Sequence, residues 1–174
     1  MNKNKIIKSS LSRTSYVFQA ASQFTEFILK GVKIKKYTSL LCLLESSIFL
    51  LHIVERQADV ELEKEEKNIF VENLVVDTKE SIVKLAATTP IDQEKIRLEF
   101  FKLYNKRAKE YYSYEIRRPG DNPKGELFSE FGKIISFIFS DYGDVIIRIK
   151  AAGYISIILK HYPILPEVNI INNS

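Results

Sequence analysis

The chain has 174 residues, of which 45% are hydrophobic and 28% are charged, and it contains 6 glycines and 5 prolines. These values exclude a largely disordered, collagen-like or low-complexity chain, and the length is sufficient for one globular core without disulfides. The formal net charge of +4 permits a polyanionic partner but does not indicate one.

Two helices are predicted in the first third of the chain. Apolar residues recur at three- and four-residue steps over residues 12–31, whereas residues 1–12 are expected to be a frayed or extended end. A second helix is predicted over about 38–59, with Thr38 or Ser39 as its N-cap. Because apolar residues cover most of its circumference, we expect this helix to lie at the centre of the fold.

A third and a fourth helix are predicted from the next segments, over about 61–87 and from about 90 to 116. The stretch between them carries signals for a helix start. Thr89 is a suitable N-cap, Pro90 suits the first helical position, and Asp92 stands where the acid of a capping box reaches back.

The second half of the chain begins with a loop, since RRPGDNPKG at 117–125 combines prolines, glycines, Asp and Asn. Apolar residues beyond it favour two more helices, with Asp144 as the cap of the last one and Pro163 as its stop. A β-hairpin over 134–150 is the alternative, because IISFIF and VIIRIK flank SDYGD. Residues 163–174 are expected to be extended or frayed.

The pattern as a whole predicts an all-α fold. Five to six helices with short connections indicate a compact bundle that forms a single domain over 1–174. The alternative is an α+β fold that contains the hairpin.

One face of the second helix combines an acid, an imidazole and a guanidinium. At 100° per residue, His52 and Arg56 lie about 20° to either side of Glu45. These groups are the candidate site of a small-molecule binder or small enzyme, in which Glu45 and His52 accept protons and Arg56 holds an anion. Tyr111 and Tyr114 are expected as neighbours if the fourth helix packs against the second.

Three structural interpretations of the same face compete with a ligand site. In the first, the face of Glu45, His52 and Arg56 is exposed to solvent. In the second, it forms a buried network in which every polar group has a hydrogen-bond partner, and in the third it contacts an identical subunit. Because neither the spacing nor the residue types demand a ligand, the structural interpretations are favoured over a pocket.

A nucleic-acid interface is a further hypothesis that is not favoured. The segment YNKRAKEYYSYEIRR at 104–118 interleaves tyrosines with basic residues, a mixture that can stack bases and contact phosphates. Tyrosines packed on one helical face explain the segment equally well. The basic residues that would serve such an interface are Lys33, Lys35, Lys36, Arg107, Arg117 and Arg118.

No metal and no cofactor are predicted. His52 and Glu55 stand three apart, as in helical bundles that hold two metal ions, but a second such pair is required there. The other histidine, His161, has no acid within helical reach. The glycines form neither a GxxxxGK nor a GxGxxG motif, so nothing indicates nucleotide binding.

The sequence predicts a soluble cytoplasmic protein with no membrane span. The single cysteine, Cys42, cannot form an internal disulfide, which favours a reducing compartment. The basic N-terminus is not followed by an apolar signal segment. Residues 40–54 are the most apolar, but about fifteen positions fall short of the ~20 that span a bilayer.

The function expected from these observations is that of a non-enzymatic helical-bundle protein. It would act by protein–protein association, either with another protein or with a copy of itself. The polar pocket and the nucleic-acid interface are the alternatives.

Overall fold

Six α-helices make up the protein in a computed structural model that describes residues 3–32, 37–87, 89–114 and 126–161, with side chains to 159. No strand occurs within these ranges, so the predicted all-α bundle is confirmed. The helices are α1 (Lys3–Leu29), α2 (Thr38–Glu61), α3 (Lys64–Ala86), α4 (Gln93–Tyr111), α5 (Glu126–Phe139) and α6 (Val145–His161).

Helix α2 lies at the centre of the bundle, as its apolar circumference predicts. It packs against α1, α3, α4 and α5, and fifteen of its 24 residues are buried. Its neighbours cover most of its surface, which is why leucine, isoleucine and phenylalanine occupy most of its sides.

Among the described helices, α2 is also the one that length and composition would allow to cross a membrane. It is longer than the apolar core of 40–54 on which the sequence argument relied. However, 78% of its most apolar window is buried inside the protein, and an interior helix satisfies the same criterion. The absence of a membrane span therefore stays a prediction.

Helix α1 begins earlier than predicted. The expectation of a frayed or extended end over 1–12 is wrong from Lys3 onward, because the helix continues for about three more turns. Ile6 and Ser10 are buried, at positions that extend the inward face of Val17 by helical steps. Packing of this face stabilises the first turns of α1. The sequence did not predict these turns as helical because they contain few apolar residues. Residues 163–174 lie outside the described part of the chain.

Two of the predicted helix caps are wrong. Tyr37, in a left-handed conformation with φ of 69°, precedes α2, and no side chain caps this end. Helix α4 is capped by Asp92, whose carboxylate accepts a hydrogen bond from the Glu94 amide at 2.9 Å. The Thr89 hydroxyl instead donates to the Ala86 carbonyl at the end of α3. An acid at a helix start also benefits from the positive end of the helix dipole.

The hairpin alternative over 134–150 is wrong, since two helices, α5 and α6, meet there at a short turn. Gly143 provides the left-handed backbone of this turn, with φ of 74°. The Asp144 carboxylate then accepts from the Ile147 amide at 3.0 Å, which caps α6 as predicted. Apolar residues at helical spacing on α5, among them Phe131 and Ile135, are buried and hold the pair against the core.

A glycine allows α5 and α6 to approach closely. A Cβ atom at Gly132 would overlap the backbone carbonyl oxygen of Arg148 and lie 3.2 Å from the Cβ atom of Ala152. A Cβ atom at Gly153, on the exposed side of α6, would meet nothing within 4 Å. The two glycines therefore form a matched pair for a test of the helix contact.

We expect Gly132→Ala to lower the free energy of unfolding by about 1–3 kcal/mol, because the backbone of α6 must move. Gly153→Ala is expected to raise it by about 0.5–1 kcal/mol, because alanine favours an open helical position over glycine. Urea unfolding of dilute protein measures both values. Equal effects of the two substitutions would contradict the close helix contact.

Candidate functional site

The polar face of α2 is turned towards α4. Glu45, His52 and Arg56 each contact a different part of α4 or of the turn that follows it. They contact α4 side by side and do not converge on a common point.

Glu45 forms a buried two-pronged ion pair with Arg107 of α4. The guanidinium Nε and Nη2 donate to the two carboxylate oxygens at 2.8 and 2.6 Å, and both residues are less than 9% exposed. Arg107 also donates to Glu110, one turn further along α4. Burial lowers the pKa of Arg107, but the bonds to Glu45 and Glu110 outweigh it and raise the pKa above the ordinary value. Arg107 therefore stays charged.

His52 lies between an acid on its own helix and the backbone of α4. Its Nδ1 is 3.2 Å from the Glu55 carboxylate, and its Nε2 is 3.3 Å from the Tyr104 carbonyl oxygen. Its ring also stacks on the Tyr104 ring, with 4.7 Å between the centroids. Both partner groups are hydrogen-bond acceptors, so the imidazolium can donate to both and the neutral ring to only one.

Glu55 connects the histidine to the tyrosine hydroxyl. Its Oε2 accepts from His52 and, at 3.1 Å, from the Tyr104 hydroxyl. Burial raises the pKa of Glu55, but the hydrogen bonds and the charge of His52 outweigh it, and the pKa lies below its ordinary value of 4.5. Glu55 is therefore a carboxylate at neutral pH. The pKa of Tyr104 is raised by burial and by Glu55, so the phenol keeps the proton that it donates.

Arg56 caps the C-terminal end of α4. Its guanidinium donates to the carbonyl oxygens of Tyr111 and, at 2.6 Å, Tyr114, and it lies 5.2 Å from the centre of the Tyr112 ring. The last carbonyl groups of a helix lack partners within the helix and carry a partial negative charge. The sequence predicted that Arg56 would hold an anion, and in the structure it contacts the partial negative charge of a helix end. Helix α4 ends at Tyr111 and not near residue 116 as predicted.

Tyr111 is fully buried beside the same network. Its ring meets Phe49 and His52 edge to face, with centroid distances of 5.4 and 5.6 Å. In the described part of the chain its hydroxyl has no hydrogen-bond partner. Burial, and next the charge of Glu45, raise the pKa of this hydroxyl well above its ordinary value, so it remains neutral. Tyr114 contributes a backbone carbonyl and not a side-chain ligand.

The arrangement resembles a satisfied internal network more than a ligand pocket. Glu45, His52 and Arg56 each have their own partners within the bundle. In the described part of the chain, a small pocket lies elsewhere, between α1, α2 and α3. That pocket has a volume of about 30 Å³ and is lined by Arg13, Gln57 and Glu61 among apolar residues such as Phe70. It has room for about one water molecule.

The sequence reasoning missed three members of the network, namely Glu55, Tyr104 and Arg107. The signal for Arg107 was present, since steps of three and four residues connect it to Tyr104 and Tyr111 on one helical face. Glu55 is the i,i+3 neighbour of His52. Within the described ranges, no group of three or more His, Cys, Asp or Glu residues is placed to hold a metal ion.

One proposed nucleic-acid contact is corrected by the structure. Arg107 is buried and bound to two carboxylates, so it does not present its charge to solvent. Because basic residues and tyrosines are interleaved around Arg107, the sequence suggested that its side chain lies at the surface. Its buried ion pair with Glu45 rules this position out. The other five basic residues of this hypothesis, Lys33, Lys35, Lys36, Arg117 and Arg118, lie outside the described residues.

Comparison with known proteins adds no relative, because no family model, no curated protein and no solved structure matches the chain.

We expect Arg107→Met to lower the free energy of unfolding by about 3–5 kcal/mol, because it leaves the Glu45 carboxylate buried without a cation. The double variant Glu45→Met/Arg107→Met should recover most of the loss, since no buried charge remains. Lys102→Met removes a cation from an exposed pair with Glu99 and is expected to change stability by no more than about 0.5 kcal/mol. Denaturant unfolding of the wild type, these three variants and Glu45→Met gives the coupling energy of the pair, and a loss for Arg107→Met as small as for Lys102→Met would contradict the buried pair.

The lowered pKa of Glu55 predicts a pH dependence with a defined sign. The folded state holds this proton less tightly than the unfolded state, so the contribution of Glu55 is present above its ordinary pKa of 4.5 and is lost as the pH falls through the folded value. The stability difference between wild type and Glu55→Gln should therefore shrink from neutral pH to about pH 3. Urea unfolding across this range measures it, and a constant difference would show that the carboxylate charge contributes nothing.

Proposed function

We propose that this chain is a non-enzymatic helical-bundle protein that acts by protein–protein association, either with another protein or with a copy of itself. The observation that carries the proposal is a set of exposed apolar side chains on one side of α6, on the turn before it and at the end of α5. We call this set the outer apolar surface. It consists of Phe137, Tyr142, Val145, Ile146, Ile149 and Ile157.

Helix α6 is apolar on both sides, which is the pattern of an interior helix. Its inner side is buried, with Ala151 and Ile155 fully covered and the Tyr154 ring stacked on Phe27 of α1 at 3.7 Å between centroids. Its outer side carries isoleucines of which about two-thirds of the surface is exposed, such as Ile149. Exposed apolar side chains that share one side of a helix are typical of an interaction site.

The aromatic residues at the start of α6 extend the same surface. The Phe137 ring packs over the α5–α6 turn, since a Cβ atom at Gly143 would lie 3.7 Å from it. Tyr142, in that turn, is almost fully exposed. Aromatic side chains are enriched at protein–protein contacts because they bury a large area with few rotatable bonds.

The internal network on α2 also favours association over ligand binding. Glu45 and Arg56 are both engaged with α4, so the bundle offers no free acid–guanidinium pair on this face. The cytoplasmic location is part of the same proposal, supported by the single cysteine, Cys42, which is buried as a thiol.

Thiol labelling in cells tests whether a partner covers the outer apolar surface. Val145→Cys and Leu98→Cys place thiols at sites of similar exposure, 71% and 65%, on α6 and on α4, and both leave Ile149 in place. We expect the thiol at 145 to react severalfold more slowly in cells than in dilute purified protein, because a partner excludes the reagent, whereas the thiol at 98 reacts equally in both. Equal rates at 145 in both settings would contradict the proposal.

The native cysteine does not interfere with this experiment. Cys42 is fully buried, and burial, followed by the charge of Glu45, raises its pKa to about 12, so almost no thiolate is present at neutral pH. Wild-type protein is thus the unlabelled control.

A further inference from the structure

We infer that the occupant of the outer apolar surface is a second copy of this chain, with the two α6 helices antiparallel across a two-fold axis near position 151. The inference rests on the proposed function, because it names the partner for the same surface.

The outer side of α6 contains both a projection and a matching recess. At 100° per residue, Ile146, Ile149, Gly153 and Ile157 fall within about 80° of one another, so they form one stripe. Gly153 is exposed, and a side-chain atom there would meet nothing within 4 Å, so it leaves an open recess one turn from the projecting Ile149.

A two-fold contact requires one surface that fits itself. With the axis at position 151, Ile149 of one copy lies opposite Gly153 of the other, and the same contact occurs a second time by symmetry. Ile146 then lies beside Ile157 of the other copy, again twice. The four positions of the stripe are all used, and each projecting side chain faces a recess or an apolar neighbour.

The area of the surface fits a dimer of moderate strength. Six apolar side chains at roughly 100 Å² each provide about 600 Å² per copy, or about 1,200 Å² in total, the lower limit for specific stable interfaces. We therefore expect dimerisation at micromolar protein concentration. An interface much larger than this is not required for association at that concentration.

The charges near the stripe distinguish a second copy from an acidic partner. Arg148 is directed away from the stripe, since its guanidinium donates to Ser129 of α5 at 2.8 Å. The exposed Lys150 lies beside the stripe and one position from the proposed axis, so the two copies bring their Lys150 residues together. Screening of this repulsion should strengthen self-association in added salt, whereas binding to an acidic protein, a nucleic acid or an anionic membrane weakens.

The test is the mass of the purified full chain, measured by sedimentation as a function of concentration and salt. We expect the mass to rise from 20.2 kDa to twice that value, with tighter association at higher salt.

Ile149→Ala removes the projection and Gly153→Ile fills the recess. Each should raise the dissociation constant by at least about tenfold, because each change occurs twice across the axis. Circular dichroism checks that both variants are folded.

A mixture of the two variants provides the sharpest result. Ile149→Ala leaves room opposite the isoleucine that Gly153→Ile introduces, and the native Ile149 and Gly153 face each other at the symmetry-related contact. The mixed dimer should therefore form at about the wild-type concentration, whereas each variant alone stays monomeric there. Leu98→Ala, on α4, is the control and should dimerise like the wild type.

A wild-type chain that remains monomeric at high concentration overturns this inference. If the thiol at 145 is nevertheless protected in cells, association stands and the partner is another protein; if it is not, the proposed function fails as well. A chain that dimerises only after removal of residues 163–174 also overturns the inference, because its own C-terminal segment then covers the stripe. Monomeric protein that sediments with anionic vesicles overturns it in favour of a membrane surface.

Discussion

A carboxylate placed in the interior of the bundle determines how α4 packs. Glu45 lies on the central helix with about 5% of its surface exposed, and a charge in that position is stable only beside a cation with directed hydrogen bonds. Arg107 meets this requirement through a two-pronged contact that fixes both the distance and the rotation of α4. Any register of α4 that moved position 107 would leave the Glu45 carboxylate buried without its cation.

The other polar contacts of α2 follow from that register. His52 faces the Tyr104 backbone, and Arg56 faces the end of α4. These contacts lie about two and three turns from Glu45 along α2, and each lies about one turn from Arg107 along α4. The polar groups thus specify a single arrangement, which apolar packing alone does less well. This specificity explains why three ionisable groups share one face of α2 without forming a site open to solvent.

Helical periodicity was sufficient to predict an all-α bundle of five to six helices, the central position of α2 and the common face of Glu45, His52 and Arg56. It did not predict what lies opposite that face, because the partner comes from a segment about sixty residues away. Arg107 stands among lysines and therefore resembled a surface residue, although its spacing from Tyr104 indicated the inner face. The end of α4 at Tyr111 depends on Arg56 from another helix, a tertiary contact that no local signal encodes.

Helix α6 illustrates the opposite limit of sequence reasoning. Apolar residues on both sides of a helix indicate that both sides will be buried. They do not indicate whether the residues that bury them belong to the same chain. Here α5 and α1 cover one side and leave the other exposed. The charged groups on α2 determine the internal arrangement of the bundle, whereas the exposed stripe on α6 is the surface that we propose for association. Loss of a charge on α2 should therefore destabilise the folded chain, whereas loss of an exposed side chain on α6 should leave it folded.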